Sequence, residues 1–136
     1  MIVVDSSVIV NALVSTPQTM EVQKTRSLNK SWYAPALWRS EIRSALLKHL
    51  RAKTFTLTTA IELFLLAEEL VTNTVTDMPS DLVLALASES GCSAYDCEFV
   101  AMAKVLNCPL LTYDKKLLKT FSHIAITPHD FIESRR

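Results

Sequence analysis

The segment MIVVDSSV, Met1–Val8, decides how the rest of the chain is read. Ile2, Val3 and Val4 make an apolar, mostly β-branched run suited to a buried strand, and it ends on a carboxylate and two serines. Asp5 then has two readings. It can cap a helix beginning at Ser6, because an aspartate side chain accepts the free N–H groups of a first helical turn. Or it is one of several acids gathered beyond the carboxyl ends of parallel strands, where open α/β sheets keep their functional groups.

Length and composition set the frame. The 136 residues fit one domain, 1–136, and 49% of them are hydrophobic, enough for a packed core. No apolar stretch approaches the ~20 residues that cross a bilayer. No basic region precedes the first apolar run, so a signal peptide is not expected and a cytoplasmic location is. Cys92, Cys97 and Cys108 are odd in number and lack CxxC spacing, which reads as free thiols in a reducing compartment. His49, His123 and His129 form no HExxH or HxxxH pattern, so histidine-ligated zinc is disfavoured. Gly91 is the only glycine, which rules out a Walker A loop, a GxGxxG turn and a GxSxG elbow. Charges balance at 14 basic and 14 acidic, so net charge gives no footprint of nucleic-acid binding. Basic residues do crowd one segment, Arg39, Arg43, Lys48, Arg51 and Lys53, and a solvated helix face explains them equally well.

Strand-like and helical patterns alternate along the chain. Ile2–Asp5 reads as strand, Ser6–Val14 as helix stopped near Pro17, and Thr19–Leu28 as a second helix. WYAP at Trp32–Pro35 reads as a short strand before a helix over Ala36–Arg51. TLTTAIELFLLAEEL opens on threonines suited to capping and carries helix formers through Leu70. Val71–Thr76 is a short β-branched run, Ser80 begins another helix, and Gly91 suits its C-terminal stop. A helix follows from Ala94, then PLLTY as strand, Asp114–Phe121 as helix and HIAIT as a last strand. Alternation of this kind predicts a three-layer α/β/α sandwich around a mostly parallel sheet.

Four acids stand out in that frame. Asp5 ends the first strand and Asp114 follows PLLTY, so the two share an edge if those strands are neighbours. Asp96 lies in line with Phe99, Val100 and Ala103, an apolar helical stripe, where an unpaired carboxylate is costly. Ser93 three residues earlier offers the other explanation, a capping box with Asp96 in the first turn. Glu41 falls roughly 60° from the centre of the face marked by Trp38, Ile42 and Ala45, on its rim. Converging carboxylates repel unless protonated or joined by a cation, and oxygen-only ligands favour Mg²⁺ or Mn²⁺. Such a site acts on phosphate esters by holding the phosphate and activating a water.

VVDSSVIVNAL, APALWRSEIRSALLK, SAYDCEFVAMAKVL and LLTYDKKLL resemble, in order and spacing, the four acidic motifs of PIN-domain nucleases. Chain length and order are similar to the toxins of VapBC-type toxin–antitoxin pairs. The resemblance implies a Mg²⁺- or Mn²⁺-dependent endoribonuclease that leaves a 5′-phosphate and a 3′-hydroxyl. Asp5, Asp96 and Asp114 would hold metal, and Glu41 would complete the cluster or position the water. Ser6, Ser7 and Thr112 match the hydroxyl positions flanking the first and last acids. RNA would approach over a surface including Arg39 and Arg43, through phosphate contacts that read no sequence. The implied partners are RNA, a small antitoxin protein and a second copy of the chain. The long apolar circumference of LTTAIELFLLAEEL fits such a protein contact, together with the helix at Ala36–Arg51.

Two rivals stand beside this reading. A PIN-like module that binds without cutting would share the motifs, although it gains nothing from mutually repelling acids. A haloacid-dehalogenase-type phosphatase needs a second acid two residues after the first, where this chain has Ser7.

Overall fold

Ile2, Val3 and Val4 are wholly buried and form the central strand of the computed structural model, which describes residues 1–136. The elements run β1 (Ile2–Val4), α1 (Ser6–Leu13), α2 (Thr19–Leu28), β2 (Trp32–Pro35), α3 (Leu37–Arg51), α4 (Leu57–Leu70) and β3 (Asn73–Val75). They continue as α5 (Ser80–Ser90), α6 (Ala94–Leu106), β4 (Leu110–Leu111), α7 (Lys115–Thr120), β5 (Ala125–Ile126) and α8 (Pro128–Glu133). The strands form one sheet in the order β3-β2-β1-β4-β5, and every neighbouring pair is parallel. β1 therefore lies between β2 and β4, with Val4 opposite Leu111. This arrangement puts the ends of "IVV" and "PLLTY" side by side.

Helices cover both faces. On one, α1 packs against α2, α3 and α4, and α2 against α8. On the other, α5 and α6 pack together and α6 lies over β1, β2 and β4. The result is the expected three-layer α/β/α sandwich. The stripe read on α6 is real: Phe99, Val100, Ala101, Met102 and Ala103 are buried. Trp38 fixes α3, donating its indole N–H to Thr74 Oγ1 at 2.9 Å and stacking on Phe64 of α4 at 5.7 Å.

Local signals explain most boundaries. Thr56 caps α4 and Ser93 caps α6 through their hydroxyls, and Gly91 ends α5 in the left-handed region at φ 74°. β4 and β5 are shorter than the apolar runs that encode them. Tyr113 N–H leaves the ladder for Ser7 Oγ at 3.0 Å, so the PLLTY segment turns toward α1 instead of continuing as strand. Helix α8 lies beyond the last expected strand. Its signal is Thr127, whose hydroxyl accepts from Asp130 N–H at 3.1 Å, followed by Pro128 in the first turn. No helix is long and apolar enough to cross a membrane.

Candidate active site

At the carboxyl edge of the sheet, Asp5 follows β1 and caps α1 while its side chain is almost wholly buried, 7% exposed. Oδ1 accepts from Ser6 N–H at 2.7 Å. Oδ2 accepts the Ser7 hydroxyl at 3.1 Å and the Thr112 hydroxyl at 2.6 Å. Asp5 therefore caps the helix with one oxygen and leaves the other to the hydroxyls of Ser7 and Thr112.

The network spreads from there. Ser6 donates its hydroxyl to Glu41 Oε1 at 2.7 Å, which joins the rim glutamate of α3 to the start of α1. Thr112 Oγ1 accepts from Asp114 N–H at 3.0 Å, and Asp114 Oδ1 caps α7 by accepting from the N–H groups of Lys116 and Leu117. Asp96 sits in the first turn of α6, with its N–H donated to Ser93 Oγ at 3.0 Å. Asp96 and Glu41 share the walls of an open cleft of about 310 Å³, together with Ser40, Ser44, Ser93 and Tyr95.

Electrostatics tie the four acids together. Burial raises the pKa of Asp5; hydrogen bonds from Thr112, Ser7 and Ser6 oppose the rise, and the charge of Asp96 adds to it. Burial also raises Glu41, against the Ser6 hydrogen bond, with repulsion from Asp5, Asp96 and Glu98. Asp96 is raised by burial and by Asp114, while Ser93 and Lys116 pull it back. Asp5, Glu41 and Asp96 thus each feel at least one other acid, although they enter from separate segments.

Two features lay outside the sequence reading. Lys116 follows Asp114 by two residues; its ammonium donates to Gly91 O at 2.7 Å and lies near enough to Asp96 to favour its charged form. The adjacent pair Lys115–Lys116 in YDKKLL was its available signal. Glu98, two residues after Asp96, adds a further negative charge facing Glu41.

Arg39 and Arg43 point elsewhere. At about 100° per residue, both lie about 160° round α3 from Glu41. Arg39 pairs with Glu68 of α4 at 3.4 Å, and Arg43 stands over the Phe64 ring at 5.0 Å. Beside them α3 and α4 enclose an apolar groove of about 380 Å³, lined by Leu46, Leu47, Leu50, Ile61 and Leu65 among others.

A hard divalent cation takes oxygen donors, and the four acids supply only oxygen. The raised proton affinities of Asp5, Glu41 and Asp96 come first from burial and then from neighbouring acids, whose charge a cation would relieve. In kind, then, the donor set fits. As they stand, no three of the carboxylates enclose an ion, and Asp5 and Asp114 each give an oxygen to their own helix N-terminus, so binding a cation there would require the carboxylates to draw together.

An all-parallel α/β sandwich with Glu41, Asp5 and Asp114 joined by hydrogen bonds at its carboxyl edge, and Asp96 nearby, is the class these observations define. Residues 2–124 match the model of the PIN domain, and the chain belongs to the PIN-domain family. No curated relative matches the sequence significantly. Among solved structures, PAE2754 from Pyrobaculum aerophilum is similar over 97% of this chain and 87% of its own, with a TM-score of 0.78 and 20% identity. VapC20 of Mycobacterium tuberculosis, described as a toxin that cleaves the sarcin–ricin loop, is similar over 85% of this chain and 91% of its own. There the TM-score is 0.59 and the identity 15%, so both likenesses speak to the fold.

Proposed function

We propose that the protein is a metal-dependent endoribonuclease, the toxin of a toxin–antitoxin pair, that hydrolyses RNA phosphodiester bonds at the Asp5–Glu41–Asp96–Asp114 site. The observation that carries this reading is the hydrogen-bonded chain from Glu41 through Ser6, Asp5 and Thr112 to Asp114, inside a PIN-family fold. A scaffold with no chemistry to perform has no need to hold a buried aspartate against two hydroxyls and beside like charges.

Asp5, Asp96 and Asp114 would hold Mg²⁺ or Mn²⁺, with Glu41 beside them. When bound, the ion would offset phosphate charge and lower the pKa of a coordinated water. The protein's own residues do the rest. Ser7 and Thr112 fix the Asp5 carboxylate, and the Ser6 hydroxyl orients Glu41. Glu41, whose pKa burial raises against the Ser6 hydrogen bond, is suited to accept a proton from the attacking water. Lys116, beside Asp96, is the cation best placed to meet a phosphate. Arg39 and Arg43 would serve RNA only at a distance, along the α3–α4 side.

Cleavage of single-stranded RNA by purified protein in Mn²⁺, lost in EDTA, is the expected result, and its absence under all divalent ions would leave a binding module. Metal should also be visible without RNA. At about 100 times its dissociation constant, Mn²⁺ should stabilise the fold by roughly 2.7 kcal/mol. A melting curve that does not move across a Mn²⁺ titration would mean that the carboxylates never converge on an ion.

The same reading gives the chain protein partners, a small antitoxin and a second copy of itself. The α3–α4 groove supports self-association: Ile61 is 53% exposed and Leu65 58%, side by side on a helix whose apolar side is wider than its own core needs. Ile61→Glu should convert a dimer to a monomer in light scattering, with its melting temperature little changed because the side chain is already half in solvent. A wild-type protein that is monomeric at every concentration would remove this role from the groove.

A further inference from the structure

Tyr95 is 65% exposed and is the one aromatic ring among the large apolar side chains left facing solvent. The aromatic and cation–π pairs of the protein engage Trp32, Trp38, Phe55, Phe64 and Phe131, and none uses Tyr95. Its position is specific. It precedes Asp96 in the first turn of α6 and lines the cleft that holds Glu41 and Asp96. It also lines a second depression, of about 460 Å³, with Thr76, Asp77, Met78, Ser80 and Glu98. Tyr95 is the residue that the two share.

The two sides differ in chemistry. The first holds the acids that would act on a phosphate. The second has an apolar floor, two carboxylates and two hydroxyls, with no lysine or arginine among its lining residues. Phosphate is therefore excluded from it. A flat ring that stacks on an aromatic and offers N–H donors to carboxylates is favoured.

We infer that the second depression is a nucleobase pocket. An unpaired base next to the scissile phosphate stacks on Tyr95 and turns an amino-bearing edge toward Asp77 and Glu98. Adenine, cytosine and guanine carry such an amino group, whereas uracil presents a carbonyl in its place. This deepens the nuclease reading and rests on it.

The test uses full-length protein carrying Asp96→Asn, to prevent cutting, and fluorescent single-stranded oligonucleotides of A, C or U in Mn²⁺. Tyr95→Ala in that background is expected to weaken binding by about fivefold to a hundredfold, the range of one lost base–aromatic stack. Tyr95→Phe keeps the ring and should recover most of the affinity. Glu98→Gln should narrow the preference for A and C over U. Unchanged affinity in Tyr95→Ala, while wild-type protein cuts RNA, overturns the pocket and leaves the nuclease intact. Equal affinity for A and U overturns the selectivity given to Asp77 and Glu98. Wild-type protein that neither binds nor cuts any RNA overturns the nuclease reading and the pocket together.

Discussion

Replacing Asp96 by Asn is expected to abolish RNA cleavage while leaving the metal-free protein as stable as wild type, or more so. An amide is a poor stand-in for a ligand carboxylate, and loss of several kcal/mol of charge stabilisation lowers the rate by at least about 10²-fold. Stability moves the other way because Asp96 is raised by burial and by Asp114. A carboxyl group that binds its proton more tightly folded than unfolded opposes folding when ionised. That opposition is present above the raised folded value and is relieved as pH falls through it. In EDTA the variant should therefore melt higher than wild type at pH 8, and the difference should fade toward the ordinary carboxylate range, about pH 4. The hydrogen bond from Asp96 N–H to Ser93 is kept, since it uses backbone. If Asp96 were only a helix-terminal charge, the variant would lose about 0.3–1 kcal/mol and still cut. A less stable variant with near-normal cleavage would take Asp96 out of the site.

Thr112→Val is expected to give the largest loss of stability among changes at the site. The side chain is wholly buried and valine matches its shape, so the change removes a hydroxyl and little volume. That hydroxyl donates to Asp5 Oδ2 at 2.6 Å and accepts from Asp114 N–H at 3.0 Å. A hydrogen bond to a charged group contributes about 1.5–3 kcal/mol, and the orphaned N–H adds to the cost. A fall in melting temperature of roughly 5–10 °C should follow at neutral pH. Thr112 also lowers the Asp5 pKa, so its loss should push that value further up and move the acid limb of the cleavage profile to higher pH. Thr112→Ser, which restores the hydroxyl, should reverse both effects. A valine variant with an unmoved acid limb would mean that Thr112 does not hold Asp5 in the working enzyme.

The fold was legible because its strongest signals are local. IVV, the Ser93 cap, Gly91 and the α6 stripe each carry their structure in a few residues. The family resemblance pointed to four acids; hydrogen bonds join Glu41, Asp5 and Asp114 through Ser6 and Thr112, while Asp96 meets the others only through its charge. Choosing between cap and site was not possible from periodicity, and Asp5 explains why: a strand that feeds a helix at the carboxyl edge lets one carboxylate serve both. Asp114 also caps its own helix, α7, and meets Thr112 through its backbone N–H. Arg39 and Arg43 are close to Glu41 in sequence yet nearly opposite it round the helix, a separation that chain distance does not show. The lengths of β4 and β5 were hidden for a different reason. A side-chain acceptor such as Ser7 Oγ draws a backbone N–H out of the sheet, and it comes from 106 positions away. Spacings between carboxylates depend on such contacts too, and no linear pattern records them.

The central place of β1 has a consequence for how the protein is made. Asp5 lies at the start of this domain, yet its strand neighbour β4 and its hydroxyl donor Thr112 lie 107 positions later. Asp96 and Asp114 are late as well. No nascent chain that stops short of them holds the assembled site, and no early folding intermediate can stand in for it. If the protein is the nuclease proposed above, a ribosome would extrude most of the domain before it could attack RNA, including the message still being read. Harmlessness during synthesis would then follow from the order of the strands.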